Sequence, residues 1–426
     1  MASPTIDSPE HPADSMPGRA GERAESFDAV IVGAGPAGSA TAAHLADHGF
    51  RVALLDRADF PRDKACSEYM GPGAVALLDR LNVTALLRSR GARTLKGTTV
   101  IGSRGSRLTG QFALASPRFP AAAGLSVARW VLDHVLLERA KEAGAHFFPR
   151  STVEDLLIEN GQVIGVRARV AGGETLSFHA RVTVGADGIH SVVARRMGGV
   201  RSGAPRRMGF VAHVAGVSGL TDLAEMHVGP EGYVGLNPLS DTIANVALVV
   251  PRRRARKARG QVESFFFEAL ATFPGVGSRV SRAGMVKPVL ATGPFSVRAR
   301  HVTANGALLV GDAADFFDPF TGEGIYSALR GAQLAGSILC QALIGEGPIL
   351  ARHLAAYARA RRQTFRGKWA VERMIGYGML APALFDHAVG RLARTGNMAD
   401  TLIGVTADFV PAGKVLNPVF LSRMVL

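Results

Sequence analysis

Cysteines and long apolar runs are scarce in this sequence, and each shortage excludes a class of protein. Two cysteines among 426 residues, Cys66 and Cys340, cannot form the framework of a disulfide-rich secreted domain, so we expect a reducing, cytoplasmic setting. The chain has no apolar run of the ~18 residues that indicate a transmembrane helix. Its N-terminus also lacks a charged stretch followed by an apolar one, which argues against a secretory signal peptide.

Acidic residues are outnumbered by basic ones, 35 to 49, which gives a net charge of +14. Only seven of the basic residues are lysine, and an arginine bias of this kind typically follows the nucleotide composition of a genome. The densest basic segment, residues 252–259, has no aromatic residue between its charges and no nucleic-acid motif beside it. We therefore expect a solvated loop there and no nucleic-acid partner.

The order of the apolar segments predicts an α/β protein whose nucleotide-binding domain is assembled from separated pieces. The length supports roughly two domains, and 47% apolar with 20% charged residues is typical of a globular chain. We expect a doubly wound, Rossmann-like domain, an inserted antiparallel substrate sheet and a helical C-terminal region. The predicted divisions are a disordered arm (1–26), the nucleotide-binding domain (27–200 and 301–345), the substrate sheet (201–300) and the helical region (346–426).

Local patterns place the individual elements. Short β-branched runs predict buried parallel strands, and apolar residues at helical spacing predict helices. The predicted elements are strands at 27–32, 51–56, 163–170, 175–184 and 307–310, antiparallel strands within 206–250, and helices at 36–48, at 127–143 and from about 324. The first strand, helix and second strand form a βαβ unit. Gly172 and Gly173 lie between two predicted strands and indicate a hairpin turn.

A glycine turn joins the first strand to the first helix. Gly33, Gly35 and Gly38 form a G-x-G-x-x-G pattern. In this pattern the glycines allow a tight turn, close approach of backbone to a pyrophosphate and close packing of helix on strand. Pro36 and Ala37 open the helix, whose N-terminal N–H groups attract phosphates.

An acidic residue follows at the expected place. Asp56 ends the second strand, where its carboxylate can accept hydrogen bonds from a ribose diol. Its neighbour Arg57 is either a contact for a 2′-phosphate or an ordinary surface arginine. Together these residues predict a dinucleotide site, but they do not separate FAD from NAD. Because the glycine pattern occurs once, we expect one firmly bound dinucleotide and no second Rossmann domain.

Two further segments make a family resemblance specific. Residues 185–191 resemble the Asp-Gly motif of flavoprotein monooxygenases, with Asp187 as its acid. Residues 311–314 and 318–325 are similar to the second FAD-contacting motif of that superfamily. The chain is therefore identified as a member of the FAD-dependent group that includes aromatic hydroxylases, flavin halogenases and geranylgeranyl reductases. The resemblance spans about 33–345 and implies FAD as the cofactor, with NADPH or NADH as a transient reductant.

The motifs and the resemblance together assign residues to the cofactor. Asp312 is suited to bind the ribityl hydroxyls, and a helix opening near Gly322 would turn N–H groups towards the flavin N1–C2=O edge. The residues predicted to bind cofactor are Gly33, Gly35, Pro36, Ala37, Gly38, Asp56, Arg57, Arg62, Lys64, Arg129, Val153, Asp187, Gly311, Asp312, Gly322, Glu323, Gly324 and Ile325. No Cys/His spacing suits zinc, so no metal site is predicted.

Residues 60–70 bear on the reaction. A Pro-Arg-x-Lys pattern followed by Cys66 resembles the geranylgeranyl reductase branch, in which a cysteine lies near the isoalloxazine. Residues 67–69 stand where that branch usually has glycines, and residues 233–238 replace its tryptophan-containing motif. Cys66 is the one candidate catalytic residue, with an inert buried thiol as the alternative.

These departures favour an NAD(P)H-dependent monooxygenase, which uses O₂ to hydroxylate a hydrophobic aromatic, polyketide or isoprenoid-like metabolite. The alternative is a geranylgeranyl-reductase-like enzyme that reduces C=C bonds of an isoprenoid or quinone side chain. Electron transfer to a quinone is a third. A halogenase is disfavoured because the Trp-x-Trp-x-Ile-Pro signature is missing.

The apolar tail, residues 402–426, is expected to cover the substrate domain, with peripheral membrane contact as the alternative. The oligomeric state is left open.

Overall fold

The computed structural model describes residues 24–425. Most of the predicted arm at 1–26 therefore lies outside the described residues. Residues 24–26 do not belong to an arm, because they pair with residues 177–179 and extend the first strand towards the N-terminus. The partner strand, which spans Thr175–Gly185, is long enough to provide hydrogen-bonding backbone groups for residues 24–26.

Short strands dominate the first three quarters of the chain. The strands are β1 (Ala24–Val32), β2 (Val52–Leu55), β3 (Tyr69–Met70), β4 (Arg93–Leu95), β5 (Gly97–Ile101), β6 (Arg107–Gln111), β7 (Gly124–Ser126), β8 (His146–Phe148), β9 (Thr152–Glu159), β10 (Gln162–Arg169), β11 (Thr175–Gly185), β12 (Val200–Ser202), β13 (Arg207–Ala215), β14 (Leu223–Gly229), β15 (Gly232–Pro238), β16 (Ile243–Pro251), β17 (Leu290–Thr292), β18 (Val297–Ala299), β19 (Thr303–Ala304), β20 (Ala307–Leu309) and β21 (Asp315–Phe316).

Helices alternate with these strands and then dominate the last quarter. The α-helices are α1 (Pro36–Ala46), α2 (Pro72–Arg80), α3 (Thr84–Ser89), α4 (Phe112–Ala115), α5 (Arg129–Glu142), α6 (Val192–Arg196), α7 (Arg252–Ala255), α8 (Val262–Ala271), α9 (Pro274–Gly277), α10 (Gly324–Ile344), α11 (Ala351–Gly378), α12 (Pro382–Arg394), α13 (Met398–Thr406) and α14 (Pro418–Val425).

The first sheet has a parallel centre in the order β20-β11-β1-β2-β8, with β19 at one edge and the antiparallel β10 and β9 joined to β11. Successive side chains of β1 face opposite sides. Ile31 packs with the helices α1 and α10, whereas Val30 and Val32 pack with side chains of β9 and β10. Both faces of the sheet are therefore buried, as expected for parallel strands.

The second sheet has the order β17-β13-β16-β15-β14-β5-β6 and is antiparallel except for the β14–β5 pair. On β13, Phe210 and Ala212 face a core that also contains Phe266 of α8. The intervening residues Gly209 and Val211 face a cavity on the other side. This alternation makes one face of the sheet structural and leaves the other for a ligand.

The predicted βαβ unit, the β10–β11 hairpin and the helix from Gly324 are confirmed, with ends shifted by a few residues. The expected loop at 252–259 is wrong. These residues form α7 and a 3-10 turn, because Ala255 and Ala258 pack into the core of the second sheet while most of the arginines stay exposed.

The helical C-terminal region packs against the second sheet. Helix α13 lies on β6 so closely that a Cβ on Gly110 would meet the Ile403 side chain. This agrees with the expectation that the tail covers that sheet. From residue 24 to residue 425, no helix is both long enough and apolar enough to cross a bilayer.

Candidate functional site

One cavity lies between the two sheets, and separated stretches of the sequence line it together. It encloses about 1190 Å³ of space free of protein atoms, counting its open mouth. The lining residues from the three predicted motifs are Gly35, Pro36, Ala37, Ala186, Gly188, Ile189, Asp312, Pro319, Gly322, Gly324 and Ile325. Motifs that are more than 100 residues apart in the sequence therefore meet at one site.

The glycine turn is shaped by close contact with the Asp-Gly segment. Gly33 has a φ of +100°, and a Cβ there would lie 2.6 Å from the carbonyl oxygen of Ala186. Gly38 packs directly against the Gly33 carbonyl, which brings α1 close to β1. Helix α1 has no side-chain cap, so its first amides are available to an anion at the cavity wall.

Asp56 holds this glycine turn in place through its side-chain carboxylate. Its Oδ2 accepts a hydrogen bond from Ala34 N at 2.8 Å, and its Oδ1 accepts one from Ala58 N at 2.9 Å. Each carboxylate oxygen keeps a further acceptor position for a ribose hydroxyl. Arg57 is exposed, whereas the Val153 side chain packs in the core beside β1. Only the backbone of Val153 is therefore a candidate contact.

A charged network connects Asp56 with helix α5. Arg62 donates to Asp133 Oδ2 at 2.9 Å and lies 3.9 Å from Asp56 Oδ2. Arg129 donates to both oxygens of Asp133, at 2.7 and 2.8 Å. Burial opposes the charge of Arg129, but the Asp133 carboxylate outweighs it and raises the pKa of the guanidinium. Arg129 thus stays charged at the cavity wall.

Lys64 and Asp312 both line the cavity, and their opposite charges attract each other. Lys64 is exposed to the cavity, yet the surrounding protein dehydrates its ammonium group. This dehydration lowers the pKa of Lys64, and Arg129 lowers it further. Burial raises the pKa of Asp312, and both Lys64 and Arg129 oppose that rise. The two groups lie where a polar ligand would restore lost hydrogen bonds.

Cys66 lies on the cavity wall, two residues before Glu68, a buried residue whose carboxylate contacts three other residues. Glu68 Oε1 accepts a hydrogen bond from Arg129 N at 2.8 Å, and its Oε2 lies 2.7 Å from His213 Nε2 and 2.9 Å from Asn245 Nδ2. Asn245 also donates to the Cys66 carbonyl at 2.9 Å. Glu68 therefore ties the cysteine segment to α5 and to the second sheet, and Cys66 is held at the cavity.

The later motif bends around the cavity before α10 begins. Gly322 has a φ of +70°, and its Cα packs against the ring of Tyr69. Glu323 is the N-terminal cap position of α10, but its side chain turns away and forms an ion pair with Lys368. The backbone of Gly324 and Ile325 thus faces the cavity at the N-terminus of a 21-residue helix.

The Asp-Gly motif supports the opposite wall. Asp187 Oδ2 accepts a hydrogen bond from Val192 N at 2.6 Å, which caps the short helix α6. Burial raises the pKa of Asp187, and its buried Oδ1 has no hydrogen-bond partner among residues 24–425. Gly311 lies across from Ala37, where a Cβ would be 2.9 Å from the Ala37 Cβ. Asp187 therefore shapes the site by holding the backbone at Val192, and Gly311 does so by packing closely against Ala37.

Tyr233 stands where the resemblance leads one to expect a tryptophan-containing motif. Its hydroxyl donates to Asp318 Oδ1 at 2.6 Å, and Arg207 binds Asp318 Oδ2 at 2.7 Å. Burial raises the pKa of Tyr233, and the Asp318 carboxylate raises it further. This neutral phenol faces the cavity and anchors the residues before Gly322.

A second cavity continues from the first towards the C-terminal helices. It encloses about 650 Å³ and extends to Leu402 and Ile403 of α13. Five residues line both cavities and form their junction: Ser67, Met226, Gly235, Pro319 and Gly322. The two cavities are therefore adjacent, and the second sheet, the later motif and the helical tail provide their largely apolar walls.

A buried cluster of charges lies behind Gly322 and Gly324. Lys368 contacts Glu323 and lies 3.2 Å from Asp408 Oδ1. Burial raises the pKa of Glu323 to about 8 and that of Asp408 to about 7, although Lys368 opposes both shifts. Burial also raises the pKa of Glu372, next to Glu323. With three acids and one lysine, the cluster retains a proton at neutral pH.

The residues present fit FAD. The turn at Gly33 has no room for a side chain, the first amides of α1 are uncapped, and the Asp312 carboxylate has no hydrogen-bond partner within the described chain. These are the features that a pyrophosphate and a polyol would use. Among the predicted residues other than glycine, those that line the cavity are Pro36, Ala37, Lys64, Arg129, Asp312 and Ile325. The side chains that do not reach it are those of Asp56, Arg57, Arg62, Val153, Asp187 and Glu323.

Sequence reasoning missed Asn245, Lys368 and Asp408. Each of these residues acts through a partner that is distant in the sequence, so no local sequence pattern predicts its role. The sequence singles out Glu68 only as a departure from the glycines expected there, whereas Tyr69 is also a candidate for the pocket wall and lines the second cavity. A positive φ of 58° at Glu68 shows why glycine is common at this position. The hydrogen bonds of the Glu68 carboxylate compensate for the strain.

Comparisons with known proteins agree with this site. The family model described as FAD binding domain matches residues 26–371. Digeranylgeranylglycerophospholipid reductase 1 of Methanococcoides burtonii is 29% identical over 348 residues, covering 80% of this chain and 81% of the relative. Two further relatives, at 29% and 28% identity, carry the same reductase name.

Solved structures of similar fold include enzymes of different reaction types. The myxobacterial chondrochloren halogenase has a TM-score of 0.75 at 24% identity, with 94% of this chain and 91% of that chain covered. A geranylgeranyl bacteriochlorophyll reductase-like protein from Thermoplasma acidophilum has a TM-score of 0.70 at 21% identity, with 94% and 96% covered. These likenesses establish the fold.

The sequence-based preference for a monooxygenase is wrong. The relatives that cover about four fifths of the chain are named as reductases, which agrees with the alternative interpretation. The preference gave too much weight to residues 67–69. In the structure Glu68 is buried away from the cavity, so its presence leaves the reductase-like position of Cys66 intact.

Proposed function

Because this chain belongs to the FAD binding domain family, we propose that it is an FAD-dependent reductase that saturates C=C bonds in an isoprenoid-like lipid. The observation that carries this proposal is the pair of adjoining, largely apolar cavities, which together would form an elongated space if their junction is open. Such a space suits a long, unbranched or methyl-branched chain better than a compact aromatic ring. The names of the relatives support the same chemistry.

The cofactor is held by groups that the chain already orients. The α1 amides and Arg62 would bind the pyrophosphate, Asp56 the ribose, and Asp312 the ribityl hydroxyls. The α10 N-terminus would meet the flavin N1–C2=O edge. When bound, FAD supplies the electron pair as a hydride equivalent. The domain division also remains a proposal: 27–200 and 301–345 bind FAD, while 201–300 forms the substrate wall, together with β5 and β6.

The chain's own residues position the double bond and exclude water. Val211, Val249 and Phe295 give the cavity an apolar wall. Cys66 projects from the opposite segment, where it would contact the substrate at the flavin. Cys66→Ala is expected to retain FAD but to change how many double bonds are reduced. A product pattern equal to that of the unmodified chain would make Cys66 inert.

We place the reductant in a polar cleft beside Asp312. This cleft shares Asp312, Phe316 and Gly324 with the flavin cavity and is lined by Arg201, Arg298 and Arg373. Of its four acids, Asp315 and Asp318 pair with Arg361 and Arg207. Burial raises the pKa of Glu372, which favours its neutral form, and Asp312 is the fourth. The remaining positive charge suits the phosphates of NADPH or NADH. Arg201→Ala is expected to raise the KM for the pyridine nucleotide several-fold without loss of flavin.

The decisive assay is anaerobic turnover. The FAD-loaded chain is mixed with NADPH and a digeranylgeranyl glycerophospholipid, and the product is analysed by mass spectrometry. The proposal predicts a gain of two hydrogens for each reduced double bond and no requirement for O₂. Nucleotide oxidation that occurs only in air and leaves the lipid mass unchanged would contradict it. Peripheral membrane contact of the tail at 402–426 stays a prediction, with Val419 and Val425 as its exposed large apolar side chains.

A further inference from the structure

Three side chains with metal-binding atoms converge outside the flavin cavity. His44 belongs to the end of α1, His48 follows that helix, and Cys340 belongs to α10. One ligand atom from each of the three lies within 4.8 Å of the other two. Cys340 is almost 300 residues from the histidines in sequence, so no spacing pattern could have indicated this cluster.

The packing of α1 against α10 brings the three side chains together. His44 and His48 are four residues apart, and their ring centroids are 5.0 Å from each other. A Cβ on Gly336 would collide with the His44 ring, so this glycine lets the imidazole lie directly against α10. Gly336 is one helical turn before Cys340, which places the thiol beside the same ring.

A backbone hydrogen bond orients the exposed histidine. His48 Nδ1 lies 2.8 Å from the carbonyl oxygen of His44. A carbonyl can only accept, so Nδ1 carries the hydrogen and Nε2 carries the free electron pair. Metal-binding histidines commonly have this arrangement, in which the second nitrogen donates to a carbonyl or carboxylate. His48 is thus prepared to offer Nε2 to a cation.

The charge around the cluster is compatible with a cation. Burial lowers the pKa of His44, and the neighbouring His48 lowers it further, while Asp47 opposes this shift. Burial raises the pKa of the Cys340 thiol. Arg139 is close by but is engaged by Asp47, at 2.5 Å. His44 therefore favours its neutral form, and a metal must displace one proton from the Cys340 thiol.

We propose that His44, His48 and Cys340 bind a borderline-soft divalent cation such as Zn²⁺, with water as the fourth ligand. Two imidazole nitrogens and one thiolate are a typical donor set for this ion. A tetrahedral site needs ligand atoms roughly 3.3–3.6 Å apart. The three ligand atoms, now within 4.8 Å of one another, must therefore move closer together when the metal binds. Binding forms two metal–nitrogen bonds and one metal–sulfur bond, and releases the thiol proton to solvent.

The bound cation would cross-link the C-terminal end of α1 to α10. The N-termini of both helices line the flavin cavity, so the metal would stabilise the relative position of these two helices. The site itself does not depend on the proposed reductase activity. Metal binding is measurable in the chain with or without flavin.

The test is a titration of the full reduced chain with Co²⁺, which reports sulfur ligation by its thiolate charge-transfer absorption. We expect one Co²⁺ per chain, one proton released per metal in weakly buffered solution, and displacement by Zn²⁺. Cys340→Ser is expected to lose the sulfur band. His48→Ala is expected to weaken binding at least tenfold, and because His48 is exposed this variant leaves the fold intact.

Matched controls separate the cluster from general thiol and imidazole binding. Cys66→Ser removes the other cysteine, and His301→Gln removes an exposed histidine elsewhere. Both are expected to bind Co²⁺ as the unmodified chain does. A thermal midpoint raised by Zn²⁺ in the unmodified chain but not in His48→Ala would further support the site. Titrations without a sulfur band, or with equal affinity in His48→Ala, would overturn the proposal.

Discussion

At the scale of single residues, Asp312 is a cavity-lining carboxylate that has no hydrogen-bond partner in the described chain. Its carboxylate is dehydrated, accepts no hydrogen bond within the described chain and depends on the charges of Lys64 and Arg129 for stabilisation. A half-buried carboxylate in this condition costs folding free energy. The same group becomes useful when a ligand with hydroxyl groups enters the cavity, because the missing hydrogen bonds are then formed.

Asp312→Asn is therefore expected to separate stability from cofactor affinity. The amide keeps an acceptor but loses the charge, so FAD binding is expected to weaken about fivefold, or ~1 kcal/mol. The free energy of unfolding of the apoprotein is expected to stay equal or rise, because a neutral group replaces a dehydrated carboxylate. Flavin fluorescence titration and urea denaturation measure the two quantities.

Asp241→Asn is the matched control for this change. The Asp241 side chain is 94% exposed, so neither FAD affinity nor stability is expected to move. An Asp312→Asn apoprotein that is clearly less stable, with unchanged FAD affinity, would show that Asp312 is a structural group.

At the scale of elements, the turn between β1 and α1 depends on one glycine. Gly33→Ala would put a methyl group 2.6 Å from the Ala186 carbonyl, in a backbone conformation that L-residues avoid. We expect the variant to lose bound FAD, because the turn and the Asp-Gly segment must move apart. The ratio of flavin to protein absorbance after purification measures this loss.

Gly91→Ala provides a control with the same backbone strain and no collision. Gly91 has a φ of +91°, and a Cβ there meets nothing within 4 Å. We expect this variant to lose about 1–2 kcal/mol of stability and to keep its flavin. If both variants lost flavin equally, backbone strain alone would explain the effect of Gly33→Ala.

Elements that depend on local chemistry could be predicted from the sequence. The bounds of β1, α1 and β2 follow from β-branched runs, small residues and the glycine turn, and the structure confirms them closely. The pairing of β5 with β14 could not be predicted, since it joins segments over 100 residues apart. The contact of Lys368 with Glu323 could not be predicted either, because it depends on how α11 packs against the start of α10.

The reaction was misjudged for a related physical reason. The departures from the expected glycines at residues 67–69 were visible in the sequence, but their side-chain directions were not. Glu68 points into a hydrogen-bonded interior, which the sequence gives no means of foreseeing. A residue type at a motif position decides little until its surroundings are known.

At the scale of the whole molecule, the buried charge cluster links α10, α11 and the segment after α13. The pKa of Glu323 is raised to about 8 and that of Asp408 to about 7. Between about pH 4 and pH 8 the folded chain therefore holds protons that the unfolded chain has released. The free energy of unfolding must fall as pH rises through this window.

Stability measured by denaturant unfolding of the apoprotein between pH 5 and pH 8 tests this dependence. Each retained proton adds a slope of at most about 1.4 kcal/mol per pH unit. We expect Glu323→Gln to flatten the dependence. Glu225→Gln serves as the control, because the pKa of Glu225 is lowered to about 2 and its stabilisation is lost only on acidification below this window. A slope unchanged by Glu323→Gln would place the retained proton elsewhere.

The two cavities form a single substrate path only if their junction is open, and Gly235 controls that junction. Gly235 lies on β15 with neighbours Val234 and Leu236 turned into the core, so a side chain here would enter the path. Gly235→Leu is expected to raise the KM for a long isoprenoid lipid at least tenfold, while a one-unit isoprenoid substrate and FAD affinity are unaffected. In Gly235→Ala the added Cβ lies 3.7 Å from Met226 Cε, an ordinary contact, so this control is expected to reduce both substrates normally. Equal loss of both substrates in Gly235→Leu would mean that the long chain does not pass from the flavin cavity into the space beneath α13.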